Sequence, residues 1–507
     1  MKLLRPRSKF LLCICLTTLL FGCKKNVYDE KIAIIGGGAS GLTAAYLLEK
    51  EGYRQVTVFE KEDSVGGVAH TVFVDGKAYD MSTMFVPGGS IAGDGIQPLL
   101  AEMIDVSQQE LIPAVDFDTL DSETFQLTPL NEYLQEYEAD VLAEQLIRGL
   151  TVMTQYAGCI AQQVDPVTCG ILEADNLTET IHEWGVRNDL SALTRLIVFT
   201  ADALGAGPSS YASASAALAG GLNWTPVEVT RILKYLGVGV EDLPEGTPPN
   251  IVSLLAANDG EGTQRWWFFK DGYQTFWKEL VKRAGIKVKL SEPVVSLAMT
   301  TEGEDNVWMV ETDENIYQFD RVIVATTPRA AMNFLPEGPR KDLLSTAIVR
   351  VPPNDVYLTT ISGYENTGLP EQAAFWPEAL GLGGTELIDP EVGSAVKPFF
   401  WQKRHVEDVA FVATYTLSAE ITPEQSFAAV QQYGAGYGVT LNEQIDHKRF
   451  FFPPTPEDLL TWRATWPSYQ GQDDLYFVGE AFTGSGVPAI AIGLTKFVAQ
   501  YFTVEEE

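Results

Sequence analysis

Residues 31–60 constrain this chain more than any other stretch. Lys31-Ile32-Ala33-Ile34-Ile35 is an apolar run of strand length. Gly36-Gly37-Gly38-Ala39-Ser40-Gly41 follows it and fits G-x-G-x-x-G, and Leu42 to Leu48 continue as a helix that ends near Gly52. Gln55-Val56-Thr57-Val58-Phe59 reads as a second strand, closed by Glu60, nineteen residues beyond Gly41. Each part of this strand–turn–helix–strand–acid unit has a physical task. Gly36 permits the tight turn, Gly38 lets backbone approach a pyrophosphate, and Gly41 lets helix and strand pack closely. The helix N-terminus, with Ala39 and Ser40 in its first turn, attracts phosphate charge. Glu60 accepts hydrogen bonds from a ribose diol. The unit predicts a dinucleotide site in an α/β fold. A glycine-rich turn in an ordinary βαβ unit would need only part of the pattern.

The next residues choose between dinucleotides. Glu60 is followed by Lys61-Glu62-Asp63-Ser64-Val65 and then Gly66-Gly67-Val68-Ala69-His70, a glycine pair at which backbone can approach a bound cofactor again. Near the end stands Asp473-Asp474-Leu475-Tyr476-Phe477-Val478-Gly479-Glu480, a strand closed by Gly-acid, followed by Gly484, Gly486, Pro488 and a helical run Ala489–Phe497. Between them lie strand-like segments at Ile286–Leu290, Pro293–Leu297, Val307–Val310 and Asp320–Pro328.

These motifs resemble the flavin amine oxidase superfamily over residues 30–503. Within it, Tyr79–Pro87, Ile232–Leu236, Trp266–Gln274 and Phe451-Phe452-Pro453 resemble the polyenoic fatty-acid double-bond isomerase branch. The resemblance implies FAD, with the glycine pair and Lys61, Val68 and His70 near it, Val294 at the adenine, and Gly479 and Glu480 at the ribityl chain or pyrophosphate. Pro488 and Ala489 would open a helix facing the flavin N1–C2=O edge, where its dipole stabilises negative charge. It also implies a discontinuous Rossmann-like FAD domain from 30–95, 265–340 and 446–503, with an inserted α+β substrate domain from 96–264 and 341–445. Two departures bear on chemistry. Amine oxidases carry a Lys beside the flavin near the segment that here reads Pro352-Pro353-Asn354-Asp355-Val356, which has none. Their aromatic cage residue after the Gly-Glu motif aligns with Ser485. An aromatic cage recognises and desolvates an amine, so the loss of that ring and of that Lys argues against amine oxidation.

The first residues read as an address. Lys2, Arg5, Arg7 and Lys9 precede an apolar run of thirteen residues, Phe10–Gly22, too short for the roughly 20 that span a membrane. Residues 1–22 therefore read as a signal peptide. Leu19-Leu20-Phe21-Gly22-Cys23 resembles a bacterial lipobox, which implies lipid on Cys23 and an exported, membrane-anchored protein, with plain secretion or an uncleaved anchor as alternatives. Cys159 and Cys169, ten apart, are the two cysteines outside this region, and a disulfide or two thiols fit equally. There is no CxxC or HExxH and only 4 His, so no metal site is expected. The net charge of −33 repels phosphate backbones, and nucleic acid is not an expected partner.

Residues 96–260 look mainly helical, with three- and four-residue apolar spacing over Leu130–Gly149 and Ser191–Leu204. Thr422-Pro423-Glu424-Gln425 reads as a helix start. Aromatics cluster at Trp266–Phe269, Tyr273, Phe276 and Trp277, and again at Phe450–Phe452, Trp462 and Trp466. They suit either core packing or an apolar substrate channel. Arg265, Lys270, Arg449 and Arg463 beside them would suit a fatty carboxylate, or simply snorkel. The expected activity is hydride transfer between flavin and an apolar or lipid-like small molecule, ending in isomerisation or in oxidation with peroxide release. Amine oxidation and a flavin-binding redox-carrier lipoprotein are the alternatives.

Overall fold

The computed structural model describes residues 27–503, apart from 88–95, 114–117, 121–126, 130–137, 163–177, 195–200, most of 201–248, 257–265, 303–304, 349–352, 365–372, 376–395, 403–405, 417–420, 452–461, 463–464 and 484–485. The expected signal with Cys23, and Cys169, Arg265, Phe452, Arg463, Gly484 and Ser485, lie outside the described residues, as does the Cys159 side chain.

The element that organises the fold is a five-stranded parallel sheet. Its strands are β1 (Lys31–Ile35), β2 (Gln55–Phe59), β3 (Val288–Lys289), β4 (Arg321–Val324) and β5 (Leu475–Phe477), in the order β3-β2-β1-β4-β5. Three distant pieces of chain thus supply one sheet. Side chains alternate between its faces, so β1 feeds two cores. Ile32 and Ile34 pack under α1 (Ala39–Lys50) and α2 (Val487–Tyr501), together with Tyr273, Phe276 and Trp277 of the helix Tyr273–Ala284. Ala33 and Ile35 meet Trp308 and Val310 of an antiparallel three-stranded sheet, Val294–Glu302, Asp305–Thr312 and Ile316–Phe319. Burial on both faces explains why these short strands are nearly all apolar.

A second, seven-stranded sheet builds the rest. Its order is Thr440–Phe451, Pro353–Ser362, Val409–Thr416, Val396–Gln402, Ala373–Phe375, Asp118–Leu120 and Leu127–Pro129, antiparallel except where Ala373–Phe375 meets Asp118–Leu120. The helix Pro423–Gly436 packs on it, opened by the capping box of Thr422 and Gln425.

Two expected boundaries differ from this architecture. The boundary at 446 falls inside the strand Thr440–Phe451, which pairs along its length with Pro353–Ser362 and so belongs to the large sheet. The segment from 96 does not leave the nucleotide core at once. The helix Pro98–Ser107 buries Leu99, Leu100, Met103 and Ile104 in the core under α1. Its Glu102 accepts from Tyr46 Oη at 2.7 Å and Lys50 Nζ at 2.8 Å. The helix expected from Leu130 is described from Ala139 to Gln162. No helix among the described residues is long and apolar enough to cross a membrane.

Candidate functional site

The strand order reverses direction between β1 and β4, and in open parallel sheets ligands lie beyond the carboxyl ends of the strands at such a reversal. Gly36 stands at that point. Its φ is +114°, and a Cβ there would lie 2.8 Å from the carbonyl oxygen of Ala325, just past β4. A Cβ at Gly41 would overlap the carbonyl oxygen of Gly36, so the helix can sit down on the turn only as glycine. No side chain caps α1 at Gly38, and no acid occupies its first turn. The helix end at Ala39 and Ser40 is therefore open to an anion.

The glycine pair closes on this turn. Gly66 N–H donates to Gly37 O at 2.9 Å, and a Cβ on Gly67 would lie 3.0 Å from the Cα of Gly38. Two stretches of bare backbone thus line one cleft, a cradle that side chains would fill. Glu60, 6% exposed, ends β2 beside it. One of its carboxylate oxygens accepts Gly37 N–H at 2.7 Å and the other accepts Glu62 N–H at 2.9 Å. From the far end of the chain, Gly479 comes to the same place, with φ +133° and Ser40 Oγ 3.8 Å from where its Cβ would be. Glu480 accepts Gly486 N–H at 3.0 Å, and Gly486 opens α2 with φ +84° and no side-chain cap. Pro488 is buried in that first turn, and Ala489 is half-buried.

Other expected site residues sit further out. Lys61 is largely exposed and pairs with Glu62 at 3.1 Å. Val68 is exposed. Val294 is half-buried at the start of the three-stranded sheet. His70 turns toward the large sheet, where Nε2 meets Asp446 Oδ2 at 2.7 Å.

Most of the aromatic residues proposed for a channel are core. Phe269, Tyr273, Phe276 and Trp277 are buried beneath α1, with the rings of Phe269 and Phe276 stacked at 4.7 Å. Trp462 and Trp466 pack with Phe477 on the other face of the parallel sheet. Two of the four proposed cations hold carboxylates of the protein itself. Lys270 meets Glu110 at 2.6 Å in the open. Arg449 forks onto the fully buried Asp355 with two bonds of 2.7 Å, and His447 joins at 2.8 Å. Burial alone would raise the Asp355 pKa, but these hydrogen bonds outweigh it and hold it below the ordinary range. Burial likewise pushes the phenol of Tyr357, whose ring stacks on His447, well up.

Three residues to which the sequence assigned no role, although Asp80 and Gln274 lie in segments that resemble the isomerase branch, complete the wall behind the glycine pair: Thr71, Asp80 and Gln274, joined by buried hydrogen bonds. The nearest hint was Gly272, whose φ of +84° turns the chain into the helix that carries Gln274.

Residues 39–403 match the profile of a family described as flavin containing amine oxidoreductase. A 56-residue segment is 41% identical to the polyenoic fatty acid isomerase of Ptilota filicina, spanning 11% of each chain. That match thus spans about a tenth of the relative's length. Among solved structures, a CLA-producing fatty acid isomerase from P. acnes superimposes with a TM-score of 0.64 over 94% of this chain and 99% of its own, at 16% identity. Putrescine oxidase bound to putrescine superimposes with a TM-score of 0.57 over 93% and 99%, at 17% identity. At these identities the structural likeness establishes the fold: both an isomerase and an amine oxidase are built on it.

Proposed function

The chain belongs to the flavin containing amine oxidoreductase family and FAD is its cofactor, and we propose that it rearranges double bonds in an apolar, unsaturated, carboxylate-bearing small molecule. When bound, FAD supplies a centre that takes up a hydride and gives it back. The chain's own residues bind and orient. Amides of Gly38, Ala39 and Ser40 at the start of α1 would hold the pyrophosphate, with Gly36 and Gly41 shaping the turn. Glu60 would take the ribose hydroxyls, and Val294 the adenine. Gly66 and Gly67, with Gly479, Glu480, Pro488 and Ala489, would line the flavin end.

The observation that carries the reading is the strand Pro353–Ser362. It holds no Lys, and its one carboxylate, Asp355, is fully engaged by Arg449 and His447. Where amine oxidases carry a Lys near this segment, the strand offers only a carboxylate that is already paired. The segment like the Ptilota isomerase and the shared fold of the P. acnes isomerase also support the reading. Since the hydride returns to the same molecule, no outside acceptor is consumed. The lipobox-like sequence at Cys23 supports export and a membrane anchor, which would hold the protein where fatty acids concentrate.

The test is to incubate flavin-loaded protein with polyunsaturated fatty acids under argon and follow conjugated-diene absorbance. Conjugated product without oxygen uptake is expected. Peroxide from a panel of amines, with every fatty acid unchanged, would replace this reading with amine oxidation. Neither product from either panel would favour a redox carrier.

A further inference from the structure

The glycine pair does not hold itself in place. Gln274 lies in the first turn of the helix Tyr273–Ala284 and is 8% exposed. Its Nε2 donates to Val65 O at 3.0 Å and to Ser64 Oγ at 3.3 Å, on the strand side of Gly66. Its Oε1 accepts Thr71 N–H at 3.4 Å, on the other side. One side-chain amide therefore spans the loop that carries Gly66 and Gly67. A second set of bonds fixes the amide itself. Thr71 Oγ1 accepts Gln274 N–H at 3.1 Å and donates to Asp80 Oδ1 at 2.6 Å, and that carboxylate oxygen also accepts Tyr273 N–H at 2.8 Å. Asp80 is 2% exposed. Packing leaves no slack: a Cβ at Gly66 would lie 3.0 Å from Gln274 Cγ, and one at Gly272 would overlap Thr71 Cγ2.

We propose that Gln274 is a positioning residue for the cofactor, acting with Thr71 and Asp80 to hold the Gly66–Gly67 backbone against Gly38 at the spacing FAD requires. The inference rests on the reading that this loop faces FAD. Two pieces of chain far apart in sequence, residues 64–80 and 273–274, converge on these few hydrogen bonds. Val65 O lies on irregular backbone, where no helix or sheet ladder satisfies it. Without the clamp the loop must be ordered when the cofactor binds, and that cost appears as lost affinity.

The experiment is an FAD titration of flavin-stripped protein, followed by quenching of flavin fluorescence, with three variants. Gln274→Ala removes the clamp and should weaken FAD binding roughly tenfold, the scale of one well-made hydrogen bond. Gln274→Glu keeps the shape and the acceptor, and it can donate to Val65 O only when protonated. The charged group that faces it is Asp80, across the Thr71 hydroxyl. Relative to wild type at each pH, its affinity should approach parity in acid and fall as pH rises. A residue that merely fills space would show no such profile. Gly67→Ala, with φ +60° and its Cβ against Gly38, tests the underlying reading. If Gly67→Ala weakens binding while Gln274→Ala does not, or the Glu variant's ratio is flat with pH, the positioning role is wrong. If Gly67→Ala binds FAD like wild type, the loop does not face the cofactor.

Discussion

Glu60 answers to two amides at once, and that makes its replacement by glutamine informative. The carboxylate presents one oxygen to Gly37 N–H at 2.7 Å and the other to Glu62 N–H at 2.9 Å. A carboxamide has a single acceptor oxygen, so either orientation of the glutamine side chain sets an NH2 group against an N–H. One charge-assisted bond is lost and the other becomes neutral. The first loss alone is about 1.5–3 kcal/mol. At about 1.4 kcal/mol per factor of ten, that is roughly ten- to hundredfold. Because Gly37 belongs to the turn between Gly36 and Gly38, the effect should reach the phosphate cradle as well as the ribose. Glu60→Gln should therefore bind FAD at least tenfold more weakly, and the stripped protein should unfold at lower denaturant. Glu60→Asp keeps both oxygens on a stem too short to reach both amides, and should fall between. The assay is FAD titration of stripped protein beside denaturant melts of the same preparations. If Glu60→Gln binds within twofold of wild type and melts at the same midpoint, Glu60 neither organises the turn nor holds the ribose.

The Asp355 cluster and Cys23 give the remaining predictions. Arg449→Met leaves a buried carboxylate with His447 alone, which should cost about 3–5 kcal/mol at neutral pH. In wild type the depressed Asp355 pKa contributes stability above the ordinary Asp range and loses it as pH falls below about 4. In the variant Asp355 takes up a proton more readily, so the stability gap should narrow on acidification. A gap under about 1 kcal/mol, the ceiling for an exposed pair, or one constant with pH, would show that the fork is not stabilising. Cys23→Ala should move the protein from the membrane to the soluble fraction on cell fractionation. Equal membrane retention would point to an uncleaved anchor.

How much of this was legible depends on the distance between partners. The βαβ unit could be read because strand, turn, helix and acid are adjacent and each residue type has one geometric reason to be there. Gly36 and Gly41 need glycine for close approaches, and the sequence shows glycine. The C-terminal Gly479-Glu480 was readable for the same reason, though that it would lie beside Ser40 was not. What the sequence left open was the assignment of apolar and charged side chains, for which core packing and a substrate channel both fitted. Phe276, Trp277 and Trp462 look the same in sequence whether they line a channel or fill a core, because burial against protein and against ligand selects the same residues. The structure puts them in the core. Arg449 looked available until Asp355 arrived from 94 positions away. Gln274 lay in a segment that resembles the isomerase branch, but its role was not legible, since it depends on backbone atoms of Val65 and Thr71 that any residue would supply.

The hairpin formed by Thr71–Val74 and Lys77–Asp80 ties these separate observations together. Its open end pairs Thr71 with Asp80, the two residues that hold Gln274 and, through it, the glycine pair. The residues flanking that pair face the other way in function. His70, just before Thr71, bonds Asp446 of the strand Thr440–Phe451, and Tyr79, just before Asp80, accepts Val406 N–H at 2.9 Å at the edge of the strand Val409–Thr416. One short element is thus clamped on one side to the loop of the cofactor cleft and on the other to the large sheet. Two paired strands bend little over four residues, so a shift of the large sheet must either be taken up at His70–Asp446 or reach Gly66 and Gly67. Loss of the His70 contact should then loosen the large sheet while the Gln274 clamp keeps the glycine pair in place. Loss of Gln274 should do the reverse. Both sets of hydrogen bonds lie at the hairpin's open end, and they decide whether a change is felt at the glycine pair or in the large sheet.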